Sequence, residues 1–306
     1  MNSRMTRRTF LRLSAGSMLA TAGRAGAAEG GGAMTTRPVP RTGEPLAVVG
    51  LGTWQTFDVG SAAADRAPLA EVIRLFLQGG GRVVDSSPMY GRAESVAGDL
   101  VAAANPTPPP FLATKVWTTG RAAGEAQMRE SMRRLRTERI DLMQVHNLLD
   151  WETHLPVLRA WKDLGRIRYT GITHYAPSSF PLLERLIATE KVDFVQLPYS
   201  IATREAEKRL LPAAAAAGVA VLVMRPFEEG SLFSAVRGKA LPPWAAEIGA
   251  TSWAQVFLKF VVSHPAVTSA IPATRRPEHM LDNLAAGAGP LPDERMRRRM
   301  AADFHS

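Results

Sequence analysis

The chain has 306 residues, of which 46% are hydrophobic and 21% are charged, as in a globular protein with a large core. It contains no cysteine, which excludes disulfide bonds, thiolate metal ligands and a cysteine nucleophile. The formal net charge is +9, but residues 1–27 hold five arginines and no acid. The other 32 basic and 28 acidic residues leave too small an excess to indicate a nucleic-acid partner.

The first segment of the chain resembles a twin-arginine export signal. Arg7 and Arg8 are followed by a weakly apolar segment and by a small-residue cleavage pattern that ends at Ala27. The resemblance implies contact with the twin-arginine export machinery and a periplasmic or exported protein. The apolar segment is too short to span a bilayer, so we expect no stable membrane insertion. A chain started at Met34 would instead be cytoplasmic.

Three divisions of the chain follow from this pattern. They are a signal peptide, a linker and one folded domain, at residues 1–27, 28–35 and 36–306.

The folded domain alternates short apolar segments with amphipathic ones. Residues 36–48 are predicted to form a β-hairpin with Gly43 in its turn. Eight segments have the length and continuous apolar character of strands that are covered on both faces. They are residues 46–54, 82–86, 111–117, 140–147, 167–175, 192–200, 219–227 and 267–274.

Helical periodicity marks the segments between these strands, and several of them end in glycine, which favours a helix C-terminus. The predicted helices are residues 68–80, 125–136, 153–165, 204–218 and 251–264. We also expect the arginine-rich residues 295–299 to form an exposed face of a last helix.

Eight strand and helix units in one chain of this length favour a single (β/α)8 barrel with an N-terminal hairpin, and a doubly wound open sheet is the alternative. Functional groups of such barrels lie at the carboxyl ends of strands. Asp141 and Asp193 stand at strand starts, so we expect them to be structural.

Four polar residues follow three consecutive strands at their carboxyl ends: Asp85, Tyr90, Lys115 and His146. A phenol can protonate a carbonyl oxygen as a hydride reaches the carbon, but its ordinary pKa, about 10, is high for work at neutral pH. A lysine ammonium about 4 Å away favours the phenolate by on the order of 4 kcal/mol, before burial opposes it. Asp85 would keep that lysine charged, and His146 would bind the same oxygen. No metal-ligand spacing is visible, so we expect no metal site.

These residues and their surroundings resemble the aldo-keto reductases. The matching motifs are Asp85 with the SPMYGRAE segment (87–94), the lysine of ATK, the histidine of LMQVHN and IPATRRPEHMLDN (271–283), and they run in order over the whole folded domain. The resemblance implies a barrel that transfers a hydride from NAD(P)H to an aldehyde or ketone. It makes Tyr90 the general acid, Asp85 and Lys115 the groups that tune it, and His146 the group that orients the carbonyl.

Two other functions stay open on the sequence. One is a reductase-like barrel that binds a nicotinamide cofactor as a sensor with negligible turnover. The other is a barrel hydrolase or isomerase, which would not bind nicotinamide.

The cofactor site implied by the resemblance departs from the family at several positions. Thr173 and His174 stand where serine and asparagine are common, and Arg225 stands where many members place an aromatic ring against the nicotinamide. Ala273 and His279 replace a lysine and an arginine that commonly hold the 2′-phosphate. The neighbouring arginines at 275 and 276 can compensate, so NADP(H) is expected over NAD(H).

The complete expected set has a cofactor part and a substrate part. Gly50 and Gly52 do not form a dinucleotide fingerprint, because Gln55 stands where the third glycine is required. The expected cofactor-binding residues are Gly52, Thr53, Thr173, His174, Gln196, Arg225, Phe227, Thr274, Arg275, His279 and Asn283. The expected substrate-pocket residues are Trp54 and Trp117.

Overall fold

The computed structural model describes residues 32–305. The expected signal peptide at 1–27 and the first part of the expected linker lie outside the described residues. From residue 32 to residue 305, none of the helices has the length and apolar content needed to cross a bilayer.

The predicted N-terminal hairpin is confirmed. Strand β1 (Thr36–Pro38) pairs antiparallel with β2 (Pro45–Ala47). Gly43 lies in the connecting turn with a φ of 75°, a left-handed conformation that glycine adopts without a steric penalty.

The predicted barrel is confirmed as well. Eight strands pair in parallel and in chain order. They are β3 (Leu51–Gly52), β4 (Val83–Asp85), β5 (Phe111–Val116), β6 (Ile140–His146), β7 (Ile167–Thr173), β8 (Phe194–Pro198), β9 (Ala220–Met224) and β10 (Ser269–Ala270). Two isolated bridges, Val49 to Ala270 and Gly52 to Ala273, join the last segment to the first. This closure rules out the open-sheet alternative.

Helices cover the outside of the barrel. They are α1 (Ala63–Gln78), α2 (Ala93–Ala104), α3 (Arg121–Arg134), α4 (Trp151–Asp163), α5 (Phe180–Thr189), α6 (Leu210–Ala216), α7 (Ser231–Ala235), α8 (Trp253–Val262), α9 (Pro277–Ala285) and α10 (Glu294–His305). Short 3-10 turns occur at Pro177–Ser179, Glu205–Glu207, Glu228–Gly230 and Pro243–Ile248. The helix predicted at 204–218 is therefore broken into a turn and α6.

The interior of the barrel is filled from its amino-terminal end. Phe111, Tyr169 and Phe194 lie near the starts of their strands, with ring centroids 5.3 to 5.9 Å apart. Val39 and Leu46 of the hairpin belong to the same buried cluster and close this end. Alternate strand residues face the same interior, so the polar residues at the carboxyl ends of β4, β5 and β6 are directed above this aromatic layer.

The two acids at the strand starts are structural, as predicted. Asp141 accepts hydrogen bonds from the Leu112 amide at 2.8 Å and from Arg168 at 2.7 Å. Asp193 accepts from the Thr170 amide at 2.9 Å and from the Lys162 ammonium at 2.6 Å. Both carboxylates join neighbouring elements at the rim opposite the cavity described below.

The prediction that residues 295–299 form an exposed face is wrong for Arg297, which is only 7% exposed. Its guanidinium donates to the Phe260 carbonyl oxygen, to the Tyr199 hydroxyl and, at 2.8 Å, to the Glu207 carboxylate. Arg297 therefore anchors α10 to the barrel, whereas the neighbouring Arg298 is exposed.

Candidate active site

A cavity of about 940 Å³ opens at the carboxyl ends of the barrel strands. Its walls come from most of the strand ends and from α8 and α9. The lining residues include Gly52, Thr53, Trp54, Gln55, Asp85, Met89, Tyr90, His146, Tyr175, Gln196, Met224, Arg225, Phe227, Trp253, Thr274, His279, Asp282 and Asn283.

A buried ion pair lies at the base of this cavity. The Lys115 ammonium donates to Asp85 Oδ2 at 2.6 Å and to the Ser86 carbonyl oxygen at 2.7 Å. The second carboxylate oxygen of Asp85 accepts from Gln144 Nε2 at 3.2 Å. Burial by itself lowers the pKa of Lys115, but the charges of Asp85 and Tyr90 outweigh it and hold that pKa above its ordinary value. The lysine is therefore a permanent cation.

The Tyr90 ring lies over this pair, with its centroid 5.3 Å from the Lys115 ammonium. Burial raises the pKa of Tyr90, the Lys115 charge opposes that effect, and the Asp85 charge reinforces it, so the net pKa is above 10.0. The expectation that Lys115 lowers this pKa is thus wrong in sign, because Asp85 compensates the lysine charge and burial disfavours the phenolate. Tyr90 is a protonated phenol, the form that can donate.

His146 faces Tyr90 across the cavity, with ring centroids 5.9 Å apart and the planes nearly perpendicular at 85°. Its Nδ1 lies 2.9 Å from the Ser87 hydroxyl oxygen. Burial, followed by the charges of Lys115 and His174, lowers the pKa of His146 to about 3. The imidazole is therefore neutral at physiological pH and carries one ring proton.

Gln196 presents a free amide to the same cavity. Its Oε1 accepts from the Thr173 hydroxyl at 3.2 Å, and its Nε2 is buried with no hydrogen-bond partner in the described part of the chain. A buried amide donor without a partner is unfavourable unless a ligand satisfies it. A carboxamide such as that of nicotinamide fits this position. Farther along, Thr274 and Asn283 line the same cavity, as predicted.

Arg225 also lines the cavity, with a left-handed backbone at a φ of 53°. Its guanidinium pairs with Glu229 at 2.8 Å and lies 5.1 Å from the Tyr175 ring centroid and 5.8 Å from that of Trp54. The side chain thus lies between residues from the first and fifth strand ends. Met224, one residue earlier, shares the barrel-interior face of β9.

Most predicted site residues line the cavity or, like Lys115, lie at its base, but four do not, and two of these four are at the end of β7. His174 follows the outward-facing positions of that strand, and its Nδ1 accepts from the Ala176 amide at 3.0 Å. Thr173 is buried and contacts Gln196 instead. Thr173 can therefore act on the cavity only through the Gln196 amide.

The other two predicted residues outside the cavity lining are exposed. Trp117 is 41% exposed beside His146, with ring centroids 6.4 Å apart. Arg275 is exposed at the surface. Both stand at the rim of the barrel, next to residues that do line the cavity.

Several lining residues were not predicted from the sequence. Met224 follows the two-residue alternation that places Leu222 in the barrel interior, so a signal for it was present. Tyr175 and Trp253 come from segments outside the strands, where no periodicity indicates which side chains face the cavity.

Comparisons with known proteins agree with this geometry. The sequence profile described as "Aldo/keto reductase family" matches residues 48–303. The aldo-keto reductase YhdN of Bacillus subtilis is 30% identical over 186 residues, which are 56% of this chain and 55% of that protein. The methylglyoxal reductase YeaE of Escherichia coli is 28% identical over 247 residues, 78% of this chain and 85% of that protein.

A solved structure gives the same result. The aldo/keto reductase of Klebsiella pneumoniae in complex with NADP and acetate superposes with a TM-score of 0.71 at 25% identity. The superposition covers 86% of this chain and 93% of the Klebsiella chain.

Proposed function

The chain belongs to the aldo/keto reductase family and is an NAD(P)H-dependent oxidoreductase, and we propose that it reduces the carbonyl group of a small aldehyde or ketone with Tyr90 as the general acid. The observation that carries this proposal is the Tyr90 phenol, which lies over the Lys115 and Asp85 pair and faces neutral His146 in one cavity. The free amide of Gln196 supports a nicotinamide site in the same cavity.

The chain's own residues would each perform one part of the reduction. The bound cofactor supplies the hydride that adds to the carbonyl carbon. Tyr90 gives its phenolic proton to the carbonyl oxygen, so an alcohol forms, and the phenolate then regains a proton from water. Lys115 stabilises the phenolate, and Asp85 keeps Lys115 charged. His146 donates a hydrogen bond that fixes the direction of the carbonyl oxygen.

We further propose a preference for NADP(H) over NAD(H). Thr274 and His279 line the cavity, and Arg275 and Arg276 are exposed on the segment between them. A guanidinium group matches a phosphate by charge and by paired N–H donors, which a ribose hydroxyl does not require. Arg276 already pairs with Glu278 at 2.6 Å, so Arg275 is the better candidate. Arg275→Ala should weaken the binding of NADPH more than that of NADH.

One titration and one assay test the proposed function. NADPH should quench the protein fluorescence, and the protein should then reduce methylglyoxal or another reactive aldehyde. Tyr90→Phe should lower kcat by roughly 10²–10⁴ while the Kd for NADPH stays nearly unchanged. Absence of quenching would favour a barrel hydrolase or isomerase. Quenching with equally negligible turnover in both proteins would favour the sensor.

We also propose that the chain is exported through the twin-arginine route, on the basis of the motif at Arg7 and Arg8. That route carries folded proteins, so the cofactor could be bound before export. The mature chain should begin near Ala28, and replacing both arginines by lysine should retain the precursor in the cytoplasm. Recovery of the unaltered protein in the cytoplasm with Met34 at its N-terminus would refute export.

A further inference from the structure

The Ser87 hydroxyl has two neighbours that decide where its proton points. Ser87 is fully buried, with 0% exposure. Its oxygen lies 2.9 Å from His146 Nδ1 and accepts a hydrogen bond from the Met89 backbone amide at 3.4 Å. A backbone amide can only donate, so it cannot receive the serine proton.

Counting protons then gives the tautomer of His146. In the described part of the chain, His146 Nδ1 is the one group near the Ser87 oxygen that can accept a hydrogen bond. If Nδ1 carried the ring proton, the buried Ser87 hydroxyl would receive two N–H donors and its own proton would have no acceptor. If Ser87 donates to Nδ1, every group is satisfied and the single ring proton lies on Nε2.

The position of Nε2 gives this choice a consequence. His146 lines the cavity, and its Nε2 neither forms a hydrogen bond within residues 32–305 nor is sealed from the cavity. With the proton on Nε2, the imidazole offers the cavity a donor. With the proton on Nδ1, it would offer a lone pair, which repels a carbonyl oxygen that gains negative charge during hydride addition.

We propose that Ser87 is a positioning residue that holds His146 as the Nε2–H tautomer, so that the imidazole donates to the substrate carbonyl oxygen. This inference rests on the proposed carbonyl reduction and adds a residue to it. The low pKa of His146 supports it, because a neutral ring has only one proton to place and a second residue can therefore decide its position.

Long-range ¹H–¹⁵N NMR of the full chain labelled with ¹⁵N-histidine reads this tautomer directly, and the spectrum of His146→Gln assigns the signal. We expect the Nε2–H tautomer in the unaltered protein. Ser87→Ala should produce a mixture that contains Nδ1–H, together with a loss of about tenfold or more in kcat/KM. Ser87→Thr keeps the hydroxyl and should restore both the tautomer and the rate.

Ser86→Ala is the matched control, because Ser86 is equally buried in the same turn and its hydroxyl contacts Thr53 rather than His146. It should leave the His146 spectrum unchanged. An Nδ1–H signal in the unaltered protein, or a pure Nε2–H signal with full turnover in Ser87→Ala, would overturn the proposal. The spectrum needs no substrate, so a chain that reduces no aldehyde would refute the proposed function while the tautomer is still decided independently.

Discussion

The Asp85 carboxylate and the Lys115 ammonium lie 2.6 Å apart, and their side chains are 4% and 0% exposed. Two opposite charges withdrawn from water depend on each other. Either one alone would be an uncompensated charge in a medium that solvates it poorly.

Removing one partner of this pair should therefore cost more than removing both. We expect Asp85→Asn and Lys115→Met each to lower the free energy of unfolding by roughly 3–5 kcal/mol. The double variant should be less destabilised than the sum of the two, because the unpaired charge is gone. Urea denaturation of the four proteins gives the coupling energy. Additive losses would show that the two charges do not stabilise each other.

The low pKa of His146 predicts a loss of stability in acid. This pKa is about 3 in the folded protein against an ordinary 6.5, so between those pH values the unfolded chain binds one more proton at this residue. Its contribution to stability is complete above pH 6.5 and declines as the pH falls, by up to about 1.4 kcal/mol per pH unit. His146→Gln should flatten the dependence by that amount in denaturation series near pH 5. An unchanged slope would contradict the assigned pKa.

Arg297 and Arg298 are adjacent but should differ sharply in their effect on stability. Arg297→Ala removes a buried guanidinium from Glu207 and Tyr199 and should lower the free energy of unfolding by roughly 2–4 kcal/mol. Arg298→Ala affects an exposed side chain and should change it by less than about 0.5 kcal/mol. Thermal and chemical denaturation compare the two. Equal effects would mean that the buried contacts of Arg297 contribute nothing.

Arg225 should affect the balance between oxidised and reduced cofactor. The oxidised nicotinamide ring is positive and the reduced ring is not, so a cation nearby disfavours the oxidised form. Replacing Arg225 by Tyr should strengthen the binding of NADP⁺ relative to NADPH. Glu229→Gln should do the reverse, since it removes the carboxylate 2.8 Å from the guanidinium. We expect about 1 kcal/mol, roughly fivefold in the Kd ratio. Parallel changes in both affinities would separate Arg225 from the nicotinamide.

The barrel and the centre of the site were predictable because both follow from local periodicity. The two-residue alternation of strands directs Asp85, Lys115 and His146 inward at strand ends. The burial of Arg297 was not predictable, because its partners are distant in sequence and only the packed fold brings them together. The sign of the pKa shift of Tyr90 likewise depends on burial, which residue spacing does not reveal.

The hairpin at the amino-terminal end gives the barrel a floor. Val39 and Leu46, with the aromatic layer of Phe111, Tyr169 and Phe194 above them, fill the space below Asp85 and Lys115 with buried apolar side chains. The ion pair is therefore hydrated from the opposite direction, through the mouth that admits the ligands. A ligand that fills the mouth also dries the pair, so occupancy itself strengthens the electric field acting on the Tyr90 hydroxyl.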